Sequence, residues 1–148
     1  MTAPGDFSSG DVLTAADMND LPAGRLASTT AGDTTINSSG VDIASITFTY
    51  TGRRVLILAS SGRIDAVSTD LQITTQIWTG ANGTGSRLLA STYGVGASSI
   101  QPFTLIAEIV PSGTVTLYWY AITNTGTCQL NEGFGRLNQF AAYDMGPT

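Results

Sequence analysis

The chain has 148 residues and 42% hydrophobic content. That suits one domain with a real core, because a chain of this length hides roughly two thirds of its unfolded surface. Six arginines with no lysine, set against eleven acidic residues, give a net charge of −5; so few cations exclude the clustered Lys/Arg that nucleic acid or an anionic membrane surface demands. With no histidine and one cysteine, the usual general base, an intrachain disulfide and a Cys-based zinc site are all missing, so neither an enzyme nor a cofactor is expected.

The first residues carry no basic start and no long apolar run, so neither a signal peptide nor a membrane helix is expected. Residues 1–24 read as an arm. Thr14 is placed to cap a helix and Asp17 stands three residues on, as a capping box requires. About two turns over residues 15–21 would then end at Pro22-Ala23-Gly24. Phe7, Val12, Leu13, Met18 and Leu21 cannot bury themselves within so short a helix. They lie against a partner, as attachment residues, or pack back on their own domain.

From residue 25 to 148 the signals are strands and turns, and the expected fold is all-β. Ala44, Ile46, Phe48 and Tyr50 alternate with polar residues, the period of a half-buried strand. Val55-Leu56-Ile57-Leu58-Ala59 is a continuous apolar run, which suits a strand covered on both faces. Leu71, Ile73, Thr75 and Ile77 form the next inward set, followed by a mobile glycine-rich hairpin loop over 80–85 and a strand through Tyr93. Phe103, Leu105, Ala107 and Ile109 follow, then the tight turn Pro111-Ser112-Gly113 and a strand over 114–123. Turns at Asn124-Thr125-Gly126 and Asn131-Glu132-Gly133 precede a last strand over about 137–145. About eight antiparallel strands at this spacing indicate one β-sandwich of the jelly-roll kind.

The search for chemistry returns little. No nucleophile elbow or phosphate loop is present, and the loop at 80–85 joins two strands instead of opening a helix. Asp65 and Asp70 flank one loop, Glu108 stands at an outward strand position and Glu132 in a turn, with no spacing of a calcium loop. Cys128 has no cationic neighbour in sequence and reads as an inert thiol. The sequons at Asn37 and Asn82 mark polar loops.

More informative are large apolar side chains at outward strand positions. Trp78 alternates with the inward set of its strand. Tyr118, Tyr120 and Ile122 alternate with Val115, Leu117, Trp119 and Ala121, so that strand has no wet face. Such faces are covered by another subunit or by a loop of the same chain, and aromatics are enriched at subunit contacts. Trp78, Tyr118, Tyr120 and Ile122 are therefore the candidate interface residues.

The run Phe7-Ser8-Ser9-Gly10-Asp11-Val12-Leu13-Thr14-Ala15-Ala16-Asp17-Met18-Asn19 resembles the opening of many tailed-phage virion proteins, minor tail and appendage proteins especially. The ending Phe140-Ala141-Ala142-Tyr143-Asp144-Met145-Gly146-Pro147 is similar to the close of phage proteins from actinobacterial hosts. In strand rhythm the body resembles trimeric jelly rolls of the tumour-necrosis-factor and C1q type. The resemblance implies a bacteriophage structural protein made in the host cytoplasm and carried on the virion surface. The expected form is a homotrimeric knob decorating the capsid, its arm docked on the major capsid protein. The alternatives are a short minor tail or receptor-binding protein in contact with tail proteins and a host surface glycan, and a carbohydrate-binding module with outward Trp78 and Tyr93 stacking on a sugar.

Overall fold

The computed structural model describes residues 24–66, 71–96, 100–130 and 138–147. The short helix expected at 15–21, the five apolar arm residues, Asp70, Glu132 and the turn at 131–133 lie outside them.

Among the described residues ten strands are formed, where about eight were expected. They are β1 (Arg25–Ala31), β2 (Thr34–Asn37), β3 (Val41–Thr51), β4 (Arg53–Ala66), β5 (Leu71–Gly80), β6 (Thr84–Val95), β7 (Ile100–Ile109), β8 (Ser112–Thr123), β9 (Thr127–Leu130) and β10 (Asn138–Pro147), with one 3₁₀ turn, Ala81–Gly83, between β5 and β6. The long strands make two antiparallel four-stranded layers, ordered β1-β10-β4-β7 and β3-β8-β5-β6. The short pair β2 and β9 extends the first layer to six strands, because β9 takes up the edge of β4 at Ile64–Ala66, beyond the stretch that pairs with β10. Among the long strands the chain changes sheet at every step except the β5–β6 hairpin. That connectivity is a jelly roll.

The inward sets follow the period of two. Ile46, Phe48, Val55, Ile57, Ala59, Ile73, Ile77, Leu105, Leu117, Trp119 and Ala121 are all buried between the sheets. Trp119 of the smaller sheet is central to this layer. Its ring meets Phe103 edge-on at 5.5 Å and Phe140 at 6.2 Å, both from the larger sheet. Aromatic pairs at such separations add to their area burial. At one end of the sandwich the β3–β4 corner is tied to the β7–β8 corner by the Gly52 N–H donating to the Pro111 carbonyl at 3.1 Å.

At the same end Asp144, whose side chain is fully buried, turns inward from β10. Its carboxylate accepts from the Tyr50 hydroxyl at 2.7 Å, from Arg53 Nη2 at 3.0 Å and from the Gly146 N–H at 2.9 Å. Its own N–H donates to the Gly24 carbonyl at 2.8 Å, which fixes where the N-terminal segment joins the sheet. Burial, and next the Asp144 carboxylate, hold the Tyr50 phenol above its ordinary value of 10.

Candidate functional site

The outer face of the smaller sheet carries the four residues singled out from the sequence. Register places Tyr118 beside Trp78, Tyr120 beside Gln76, and Ile122 beside Thr74. Arg87 of β6 completes the first of these rows, opposite Trp78, with its guanidinium 5.8 Å from the indole centroid. That is cation–π range. The Trp78 Nε1–H donates to Gln76 Oε1 at 2.6 Å. The rest of the face is a threonine lattice, with the pairs Thr47–Thr116, Thr49–Thr114 and Thr74–Thr92 joined through their hydroxyls at 2.8–2.9 Å. Neither Gln76 nor Arg87 was singled out from the sequence: Gln76 lies two residues before Trp78 on the same face of β5, whereas only cross-strand register brings Arg87 to the tryptophan.

Trp78, Tyr118 and Ile122 stand half-buried on this face. Tyr120 differs, being 9% exposed and covered by its own chain. The β2–β3 turn lies over its ring tip, and its hydroxyl donates to the Ser39 carbonyl at 3.2 Å. From the other side the β5–β6 tip folds over the sheet and places Gly83 against the ring. Far from dangling, that tip is held by the Asp42 carboxylate, which accepts the Asn82 N–H at 2.8 Å. Gly40 is required twice here. Its φ is +78°, and a Cβ at this position would overlap the Tyr120 hydroxyl. Gly40→Ala is expected to cost about 1–3 kcal/mol through strain and overpacking, read as a lower urea midpoint with an unchanged slope.

Tyr93 corrects another expectation. It sits in mid-β6 and faces inward, half-buried with its ring 5.7 Å from Phe103. Only one of the two rings proposed for a sugar is therefore outward.

The larger sheet also has an apolar outer face. Opposite the inward Val55, Ile57 and Ala59, strand β4 turns Leu56 and Leu58 outward. Register sets Ala141 and Ile106 on either side of Leu58, and Tyr143 and Glu108 on either side of Leu56. Ile106 is 57% exposed. None of Leu56, Leu58, Ile106 and Tyr143 belongs to the core between the sheets, whereas Ala141 on this face is fully buried. The sequence signal was the double-faced run 55–59, read for burial but not for what buries it.

Of the four carboxylates named from the sequence, the two among the described residues, Asp65 and Glu108, are engaged with arginines. Arg54 grips Glu108 through two bonds of 2.8 and 2.9 Å and holds its carboxyl below the ordinary value, while Arg63 Nε donates to Asp65 at 2.7 Å. Burial pushes the Cys128 thiol up to about 11, which keeps it protonated and inert. A shallow cleft of about 490 Å³ is lined by Leu71, Gln72, Gly94, Val95, Gly96 and Asn124. The Asn124 amide oxygen there already accepts the Gln72 N–H at 2.8 Å.

No protein-family model matches the chain, and no curated protein matches its sequence. Solved structures of infectious bursal disease virus do match in fold. T=1 particles derived from that virus superpose with a TM-score of 0.53 at 12% identity, over 100% of this chain and 41% of theirs. The T13 particle gives 0.52 at 10% identity, over 100% and 40%. The D431N mutant of the VP2 protein, also in T=1 particles, gives 0.51 at 14%, over 100% and 41%. The chain thus spans about two fifths of the viral chains it resembles. At such identities the likeness is one of fold alone.

Proposed function

We propose that the chain is a non-enzymatic structural protein of a bacteriophage virion. It forms a β knob that associates in threes on the particle surface and decorates the capsid, with residues 1–24 as its attachment element. The observation that supports this most is a jelly roll, shared in fold with VP2 in its particles, that turns apolar side chains outward from both sheets. Outward apolar faces are what an assembling subunit presents to its neighbours. A minor tail position would use the same knob, with receptor contacts at its loops.

The attachment role is tested by removing residues 1–23, which leaves the Gly24 carbonyl for Asp144. The shortened chain is expected to melt within about 1–2 kcal/mol of the full one and to lose binding to particles stripped of this protein. A shortened chain that still binds such particles would contradict the attachment role.

A further inference from the structure

We infer that the outer face of the six-stranded sheet, along Tyr143, Leu56, Leu58 and Ile106, is the surface through which copies of this chain associate. This rests on the self-association proposed above and assigns it a place: the face opposite the one carrying Trp78 and Tyr118.

Three observations favour a second copy as the occupant. The first is β4 itself. Its run Val55-Leu56-Ile57-Leu58-Ala59 has the composition of a strand covered on both faces, yet the described residues bury only Val55, Ile57 and Ala59 fully. Leu56 and Leu58 remain half-buried, beside an Ile106 that is 57% exposed.

The second is charge. The whole chain carries −5, so two copies repel at most orientations. Beside this strip the described carboxylates are paired with cations, Glu108 with Arg54 and, further along β4, Asp65 with Arg63, while the exposed Arg25 stands opposite Tyr143. The strip carries no excess negative charge and lets two acidic chains meet without carboxylate facing carboxylate. A cationic partner would instead find no unbalanced carboxylate in it.

The third is anatomy. Three strands about 4.8 Å apart and some five residues along each give an apolar patch of roughly 250 Å². A stable contact buries about 800 Å² per partner, with an apolar centre and a polar rim. Ser28, Ser60, Thr104 and Gln139 stand around the strip as such a rim. Tyr143 also lies opposite Arg25, where the chain enters β1. Association here brings the Arg25 ends of neighbouring copies near one another, and attachment elements linked in this way bind far more tightly than single ones.

The test is sedimentation equilibrium of the full chain and three full-length variants across micromolar concentrations, each checked for a cooperative melt. The intact chain is expected at three times its 15.3 kDa mass. Ile106→Glu is expected to weaken association by about tenfold or more, as truncations at the centre of an interface do. Ile106→Ser should weaken it less, and Tyr118→Ala, on the opposite sheet, should leave it unchanged. If Ile106→Glu fails to fold, Ile106→Ser decides. Folded Ile106 variants that keep the full mass would overturn the assignment, and residues 1–23 or another protein would then be what covers the strip. An association lost in Tyr118→Ala but kept in the Ile106 variants would overturn it in favour of the smaller sheet. A monomeric intact chain would overturn the self-association reading itself.

Discussion

Asp144→Ala is expected to cost about 3–5 kcal/mol, enough to unfold many domains of this size. The carboxylate is fully buried and draws together the end of β3 through Tyr50, the start of β4 through Arg53, and the end of β10 through Gly146. Removing it withdraws the acceptor from all three while their donors stay in a low-dielectric setting, where a lost partner costs most. Asp144→Asn keeps the shape and one acceptor oxygen, so it should fall between Ala and the native chain. Tyr50→Phe removes a single hydroxyl and should cost about 1 kcal/mol. Urea denaturation of the three variants gives this order. An Asp144→Ala protein as stable as the native chain would show that these bonds do not hold the corner.

Trp119→Ala should be as severe, at about 3–5 kcal/mol, for a different reason. Trp119 has no exposure and lies between Phe103 and Phe140, so truncation opens a void where the two sheets meet. Its Nε1–H has no hydrogen-bond partner among the described residues. Replacement by Phe therefore loses volume but no bond, and Trp119→Phe should recover more than half of the loss. If Phe proved as damaging as Ala, the indole would be held by a polar contact and not by packing.

How much of this was legible differs from strand to strand. The inward sets of β3, β5, β7 and β8 follow from period two alone, since alternation is a local property that the pleat converts directly into a buried face. Strands β2 and β9 were missed because four residues with one or two buried side chains, Ile36 in one and Cys128 and Leu130 in the other, show no measurable period. β1 was not named as a strand because its RLASTTA sequence is largely small and polar and owes its place to pairing with β10. Tyr120 illustrates a different limit. Its outward direction follows from alternation, but its cover comes from Ser39, Gly40 and Gly83, which are distant in sequence. The Trp78 row depends likewise on Arg87 and Tyr118 arriving from neighbouring strands. The double-faced run in β4 was readable from the start, whereas the partner strands that extend its outer face, β7 and β10, required the topology.

The most direct test of the proposed role is imaging of purified virions by electron cryo-microscopy, with this chain located by fitting the jelly roll into the density. The expected result is knobs on the particle surface, three copies around each axis, with the Leu58–Ile106 strip facing the axis and the Gly24 end toward the shell. Purified particles without this chain, or with it as isolated single copies, would contradict the reading of a self-associating virion knob.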